Sequence, residues 1–192
     1  MGYRVAPVDA GRVDAFLDFF DRVAFTDNPE WAGCYCLFYH HRGPGWDERS
    51  GAKNRAAAAA LIRRGALRGF LAYDGDHPVG WCNANLRARF QRLAEEPELR
   101  AGGEDQRVLA VVCFVVAPGE RRRGVARQLL AAACAAAAEQ GLDWVEAYPR
   151  KEAHTSAQHY HGPLSLYLSE GFVIHKERRD FWIVRRDSRA RG

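Results

Sequence analysis

The sequence predicts an α/β fold, a mixed sheet with helices on both faces, and three observations support this. Segments with strand-like and helix-like periodicity alternate in the order β-α-α-β-β-β-α-β-α-β-β. The run "VLAVVCFVV" is almost continuously apolar and rich in β-branched residues, which is typical of a central strand covered on both faces. No linker, repeat or low-complexity segment interrupts residues 1–192, so we expect a single domain.

The N-terminal part of the chain predicts one strand and two helices. "YRVAPV" is a short strand, and Asp9 is placed to cap a helix that runs to about Val23. "KNRAAAAALIRRG" predicts a second helix, which Gly65 ends. The segment between them, "TDNPEWAGCYCLFYHHRGPGW", is aromatic, irregular and punctuated by Gly and Pro, so we expect a loop there.

The middle of the chain predicts a hairpin followed by the central strand. Asp74 and Gly75 separate two apolar runs, and Asp-Gly in this position is a strong signal for a tight turn. The stretch from Ala88 to Gln106 is polar and contains Gly and Pro, so we expect a long surface connection. "RVLAVVCFVVAP" then forms the central strand.

The C-terminal part predicts two helices and three strands. A helix runs from about Gly124 to Gln140, and "LDWVEAYP" follows as a strand. Pro163 opens a short helix, "PLSLYLSE", because proline suits the first turn of a helix. "GFVIHKERRDFWIVRR" closes the chain as two strands joined by a charged turn.

Composition and charge narrow the class of protein. Hydrophobic residues make up 47% of the chain and charged residues 27%, as in ordinary globular domains. No apolar run approaches the ~20 residues that a membrane span requires, so we expect no membrane partner. The net charge is +4, but nearly all the basic residues are arginine, which suggests a coding bias. The arginine count therefore does not by itself indicate nucleic-acid binding.

The five cysteines predict neither a disulfide framework nor a metal site. Their number is odd, and Cys113 and Cys134 fall in apolar runs, so we interpret them as free thiols in a reducing cytoplasm. "CYCLFYHH" and "HTSAQHYH" gather cysteines and histidines, but without the spacing of a structural zinc site. We expect no bound metal.

The stretch "GERRRGVARQLL" places Arg121, Arg122 and Arg123 directly before a helix. Cations are unfavourable there, because a helix N-terminus already carries about half a positive charge and each added cation costs ~0.3–1 kcal/mol. A bound phosphate would reverse this balance, since free backbone N–H groups and arginine side chains both bind it. Gly124 and Ala126 allow close approach to the backbone. The stretch matches neither "GxxxxGK[ST]" nor "GxGxxG", so neither a P-loop nor a Rossmann site is expected.

"RRRGVA" resembles the Arg-x-x-Gly-x-Ala loop with which GCN5-related N-acetyltransferases (GNATs) grip coenzyme A. Two further landmarks lie in the family's order, the hairpin "DGDHPVGW" before the loop and "LYLSEGF", similar to the family's Tyr-x-x-x-Gly-Phe ending, after it. The resemblance covers roughly residues 69–186. It implies a GNAT-like, mostly antiparallel sheet whose parallel fourth and fifth strands splay apart. It also implies transfer of acetyl from acetyl-CoA to an amine within a ternary complex.

The resemblance implies where coenzyme A would lie. Its pantetheine arm would pair with the fourth strand, and its pyrophosphate would lie on the loop and the first turn of the next helix. Tyr160 stands where the family often has an asparagine after the fifth strand. The implied binding residues are Val115, Val116, Arg121, Arg122, Arg123, Gly124, Val125, Ala126, Arg127 and Tyr160.

Tyr167 is the candidate for the acid that protonates the departing thiolate. It stands four residues before Gly171, where the family often has such a tyrosine. A thiol has a pKa near 8.5 and a tyrosine near 10, so the proton transfer is feasible. The alternative is a packed amphipathic ring at helical spacing with Leu164 and Leu168.

The sequence lacks the residue that often serves as general base in this family. Many relatives have a glutamate on the fourth strand, and "VVCFVV" has no carboxylate. Glu146, on the adjacent strand, is the candidate to replace it, followed by His159 and His161, whose ordinary pKa suits proton transfer. Deprotonation through water remains the other possibility.

The acceptor amine is not specified by these motifs. "WAGCYCLFYHH" falls where the family commonly builds its acceptor pocket, so Trp31, Tyr35, Phe38 and Tyr39 either line that pocket or form a satellite core.

The missing carboxylate on the fourth strand supports an alternative function, a non-catalytic module that binds acyl-CoA. Nucleic acid is not an expected partner, because the arginines cluster only at the proposed loop and the C-terminal tail. Members of the family are often dimers, and a homodimer remains open.

Overall fold

The protein is described by a computed structural model over residues 2–99, 107–152 and 157–189. In this part of the chain, one seven-stranded sheet is accompanied by five α-helices and several short 3₁₀ turns. The strands are β1 (Arg4–Pro7), β2 (Gly69–Asp74), β3 (His77–Leu86), β4 (Val108–Val116), β5 (Trp144–Ala147), β6 (Val173–Glu177) and β7 (Trp182–Asp187). The helices are α1 (Val13–Arg22), α2 (Gly51–Arg63), α3 (Gln91–Glu95), α4 (Val125–Glu139) and α5 (Leu164–Ser169).

The sheet confirms the predicted fold class. The strand order is β1-β2-β3-β4-β5-β7-β6, and every neighbouring pair is antiparallel except β4 and β5. Helices cover both faces of the sheet. Consecutive β3 residues point to opposite faces, so neighbouring residues contact different helices. Gly80 faces Val125 of α4, whereas Trp81 packs edge-on against Phe16 of α1, with ring centroids 4.9 Å apart.

Local sequence signals place the first elements as predicted. The Asp9 side chain accepts a hydrogen bond of 3.0 Å from Gly11 N, so it caps the short turn that leads into α1. Ser50 caps α2 in the same way through Lys53 N. The hairpin turn lies one residue later than predicted, because Asp74 still pairs with His77 across the strands.

The parallel pair of strands separates after four residues. Pairing runs from Val108 with Trp144 to Val111 with Ala147, where β5 ends while β4 continues to Val116. The chain after β5 stays with β7, as a bridge between Arg150 and Phe181 shows. A cleft therefore opens beside the second half of β4.

Helix α4 approaches the sheet closely because β3 has a glycine beneath it. A Cβ on Gly80 would lie 2.6 Å from Val125 Cγ1 and 3.3 Å from Leu129 Cδ1, so no other residue fits without displacement. Val125 and Leu129 are both fully buried. Val125 is the first residue of α4, so this contact fixes where the helix begins relative to the cleft.

The predicted surface connection from Ala88 to Gln106 is partly wrong. Phe90 and Leu93 are completely buried, and the segment forms α3. The reason is packing, since Phe90 lies against His40, with ring centroids 4.9 Å apart, and so belongs to the core. Residues 100–106 lie outside the described part of the chain.

None of the helices formed by the described residues combines the length and apolarity that crossing a membrane would require.

Replacing Gly80 with alanine should destabilise the protein and displace the start of α4. The new methyl group would overpack the stiff Val125 side chain, at a cost of about 2 kcal/mol. Urea unfolding measures the loss. Gly119→Ala is the matched control, because a Cβ there meets nothing within 4 Å. Equal stabilities of the two variants would contradict the close-packing argument.

Candidate active site

A cavity of about 830 Å³ lies where β4 and β5 separate, a size typical of small-molecule sites. Its floor is the segment Cys113–Val116 of β4. We call the lining residues between Phe20 and Asn54 the N-terminal wall, and those between Arg121 and Ser165 the C-terminal wall. The three parts converge from distant segments of the chain, so the cavity is a product of the tertiary fold.

The start of α4 has the local features of a helix terminus that binds anions. Gly124 is its N-cap and has a φ of +88°, a left-handed conformation that favours glycine. No side chain caps this end and no acidic residue lies in the first turn, so the first backbone N–H groups have no partner within the helix. Arg122 is also left-handed, with a φ of +65°. Such alternations of backbone conformation direct N–H groups into a concave anion site.

Three of the four arginines around this helix start pair with carboxylates. Arg121 donates to Asp27 Oδ2 at 2.5 Å and to Asp27 Oδ1 at 3.0 Å, and its Nε reaches the Val116 carbonyl at 3.3 Å. This hydrogen bond holds the pKa of Asp27 below its ordinary value. Arg123 pairs with Glu120 at 3.3 Å, and Arg127 pairs with Glu170 at 3.1 Å.

Arg122 differs from its neighbours. It is exposed, it lines the cavity, and it has no hydrogen-bond or ion-pair partner within residues 2–99, 107–152 and 157–189. Three of the four cations are thus neutralised by their own chain, and Arg122 keeps an uncompensated charge beside the anion site.

Of the ten residues expected to bind coenzyme A, the structure brings six to the cavity. They are Val115, Val116, Arg121, Arg122, Ala126 and Tyr160. Val125 is not at the surface, because it is buried against Gly80. Arg123, Gly124 and Arg127 lie at the helix start without lining the cavity itself.

The N-terminal wall is aromatic. Three of the four aromatic residues that the sequence suggested for an acceptor pocket line the cavity. Trp31, Phe38 and Tyr39 line the cavity. Tyr35 does not, because its hydroxyl donates to Asp21 Oδ1 at 2.6 Å and its ring is buried against Phe20.

Three thiols also lie in the cavity lining, those of Cys34, Cys36 and Cys113. All five cysteines are free, and the described residues contain no group of three or more His, Cys, Asp or Glu side chains that could hold a metal ion. Burial raises the pKa of Cys34 to about 12, so that thiol stays protonated near neutral pH.

Comparison with known protein families decides the classification. The model of the acetyltransferase (GNAT) family matches residues 25–162, which is most of the chain. The chain belongs to the GNAT acetyltransferase family. The match includes the N-terminal wall from Phe25 onwards, all of β4 and the start of α4. A comparison with curated proteins found no match.

Solved GNAT structures share the fold at low sequence identity. PaiA N-acetyltransferase from Thermoplasma acidophilum, solved with coenzyme A, is 10% identical, with a TM-score of 0.56 over 97% of this chain and 99% of that one. A GCN5-related N-acetyltransferase from Kribbella flavida is 18% identical, with a TM-score of 0.57 over 97% and 98%. YncA from Salmonella typhimurium, solved with its cofactor acetyl-CoA, is 13% identical, with a TM-score of 0.54 over 100% and 97%.

Tyr167 lies directly behind the cavity wall. Its hydroxyl donates to the His161 carbonyl at 2.5 Å, and the side chain is completely buried. Gly162 separates it from the cavity, since a Cβ on Gly162 would lie 3.3 Å from the Tyr167 hydroxyl. Burial raises the pKa of Tyr167 well above its ordinary value. The catalytic role that the GNAT motif implies for this tyrosine stays a prediction.

Glu146 requires a correction. Its carboxylate is completely buried between Arg87, at 2.9 Å, and Arg185, at 2.6 Å, and it also accepts a 2.5 Å hydrogen bond from Tyr148. It does not line the cavity. Because this carboxylate does not reach the cavity, we assign it a structural role.

The two candidate histidines occupy different environments. His159 is exposed and lines the cavity. His161 is buried, with Nε2 at 3.1 Å from the Tyr39 hydroxyl. Burial lowers the pKa of His161 to about 3, so its ring is neutral at physiological pH and binds a proton too weakly to act as a base.

Sequence reasoning missed several residues of the N-terminal wall. Asp27, Glu30, Trp46 and Asp47 all line the cavity. They lie in a segment without helical or strand periodicity, so no spacing rule selected them. The only sequence signal for these pocket residues was composition, since aromatic and acidic residues lie close together in this segment.

Removing the charge of Glu146 should destabilise the protein. In Glu146→Gln, the buried guanidinium groups of Arg87 and Arg185 lose their shared carboxylate, which should cost about 3 kcal/mol. Urea unfolding measures this loss. Glu139→Gln, an exposed change near the end of α4, is the control. A loss no larger than that of the control would show that the ion pairs do not hold the sheet together.

Lowering the pH should destabilise the protein, in part because His161 binds a proton more readily in the unfolded chain than in the folded one. The pKa of this histidine is 6.5 in the unfolded chain and about 3 when folded, so the stabilising contribution is present above pH 6.5 and is lost as the pH falls towards 3. Between pH 7 and pH 5 the loss should be about 2 kcal/mol. His161→Gln should flatten the pH dependence of urea unfolding, whereas His77→Gln, an exposed control, should not. Parallel pH profiles for the wild type and His161→Gln would exclude this contribution.

Proposed function

We propose that this protein transfers an acetyl group from acetyl-CoA to an amine by direct attack within a ternary complex. The observation that carries the proposal is the uncapped start of α4, with its left-handed Gly124 and unpaired Arg122, at the end of the cleft beside β4. GNAT family membership supports the reaction type. Two similar structures, which contain coenzyme A and acetyl-CoA, support the choice of co-substrate.

In this proposal the C-terminal wall binds the nucleotide end of the co-substrate. The pyrophosphate would take the free N–H groups of the first turn and the guanidinium group of Arg122. Arg123 and Arg127 shape the loop through their ion pairs with Glu120 and Glu170 rather than through direct contact. The pantetheine arm would follow Val115 and Val116 along the edge of β4 that β5 leaves unpaired.

The chemistry requires a neutral amine, a stabilised oxyanion and a proton for the departing thiolate. We assign the proton to Tyr167, because a Cβ on the lining residue Gly162 would lie only 3.3 Å from its hydroxyl. Burial raises the pKa of this hydroxyl and so keeps it protonated, and its proton would have to leave the His161 carbonyl to reach a thiolate. His159 is the remaining candidate base among the predicted residues, since it lines the cavity and Glu146 does not.

A second candidate function is a GNAT module that binds acyl-CoA without transferring the acyl group. One observation favours it, the position of the expected carboxylate base in a buried ion pair. The two functions differ in one measurable way. A transferase releases the free thiol of coenzyme A when amines are supplied with acetyl-CoA, and a binding module does not.

Neutralising Arg122 should weaken coenzyme A binding without harming the fold. Arg122→Gln removes a charge-assisted contact to phosphate, so affinity in calorimetry should fall by about tenfold or more. Coenzyme A should raise the melting temperature of the wild type, and raise that of the variant less. Arg123→Gln is the matched control and should bind almost normally, because Arg123 already pairs with Glu120. If saturating coenzyme A leaves the wild-type melting temperature unchanged, the proposed function is wrong.

A further inference from the structure

The two walls of the cavity carry opposite charge. Among the described residues, the C-terminal wall contributes the cations Arg121 and Arg122 and no carboxylate. The N-terminal wall contributes the carboxylates of Asp27, Glu30 and Asp47 and a single cation, Arg49. The positively charged C-terminal wall suits the phosphates of the proposed co-substrate. The negatively charged N-terminal wall therefore faces the space left for the acceptor.

Pairing within the protein decides which of these charges are available. Asp27 is neutralised by Arg121 through two hydrogen bonds. The Nε of Arg49 donates to Asn54 Oδ1 at 2.6 Å, and Asn54 is itself held by the Gly33 carbonyl at 2.8 Å.

Glu30 and Asp47 remain as exposed carboxylates without a hydrogen-bond or ion-pair partner in the described part of the chain. Even with Arg49 counted, the N-terminal wall keeps an excess of negative charge.

The same wall presents aromatic surface to the cavity. Trp31 is 37% exposed and lies 5.8 Å from the Tyr160 ring across the cleft, centroid to centroid. Phe38 packs edge-on against Trp46 at 5.4 Å, and the Arg92 guanidinium lies over the Phe38 ring, 4.3 Å from its centroid. Trp31 is therefore the ring left for a ligand. Aromatic faces attract cations and also bury apolar rings, so this surface favours a ligand that combines a positive charge with an apolar body.

We infer that the acceptor is a primary amine of single positive charge on an aromatic or similarly bulky apolar body, without an acidic group. This inference rests on the proposed function and names the acceptor class of the same cavity. An acceptor with its own carboxylate would meet like charge at Glu30 and Asp47. A linear polyamine would satisfy the carboxylates but would leave the exposed part of the Trp31 ring uncovered.

Binding of four amines tests the inference directly. The probes are 2-phenylethylamine, phenylalanine, n-butylamine and spermidine, titrated by calorimetry into the coenzyme A complex and into the free protein. Phenylalanine adds only a carboxylate to the first probe, n-butylamine removes the ring, and spermidine adds charges without a ring. We expect 2-phenylethylamine to bind about tenfold or more tightly than each of the others. Equal or tighter binding of phenylalanine or spermidine would overturn the inference.

Variants that remove a negative charge test whether the carboxylates of the N-terminal wall select the amine. Glu30→Gln and Asp47→Asn should each weaken binding of 2-phenylethylamine by about fivefold and reduce the discrimination against phenylalanine. Glu48→Gln is the matched control, because Glu48 neighbours Asp47 but does not line the cavity. If all three variants bind both ligands like the wild type, these carboxylates do not select the acceptor and the inference is wrong.

Different measurements test the proposed function and the acceptor class. Loss of the proposed function would show as an unchanged melting temperature in the presence of coenzyme A. Failure of the acceptor inference would show in the amine titrations, and the free protein provides that readout even if coenzyme A does not bind, since the wall carries its charge without a co-substrate. Release of coenzyme A thiol from acetyl-CoA with 2-phenylethylamine, but not with phenylalanine, would support both.

Discussion

The cavity depends on the point at which β4 and β5 stop pairing. Glu146 lies at that point, opposite Ala110 on one side and Arg185 on the other. Its buried carboxylate joins Arg185 of β7 to Arg87, and the Arg87 side chain also donates to the Leu99 carbonyl at 2.6 Å. A charge this deep is stable only with such partners. The ion pairs therefore hold β5 to β7 just before the cleft begins, and they leave the second half of β4 open to a ligand.

The opposite end of the cleft depends on the distribution of charge around α4. Three consecutive arginines before a helix are unfavourable in isolation, and the fold compensates two of them with the carboxylates of Asp27 and Glu120. Only Arg122 keeps its full charge next to the free N–H groups of the first turn. The close contact between Gly80 and Val125 fixes these groups against the sheet.

Local signals in the sequence were sufficient for most of the fold. The cap at Asp9, the hairpin and α4 follow from short patterns, and the parallel pair followed from the family resemblance. The role of Glu146 could not be predicted in this way, because its partners lie 59 and 39 residues away in the sequence. The carboxylates of the N-terminal wall could not be predicted for a related reason. Irregular segments lack helical or strand periodicity, so only tertiary packing decides where their side chains point.

The ion pair between Arg121 and Asp27 joins segments 94 residues apart and spans the mouth of the cleft. Any ligand phosphate that attracted Arg121 would release Asp27 and increase the negative charge of the opposite wall. Occupancy of one half of the cleft would then change the affinity of the other half, and thermodynamic linkage makes the effect equal in both directions. If Arg121 exchanged Asp27 for a ligand phosphate, this one bidentate contact would couple the charges of the two cleft walls.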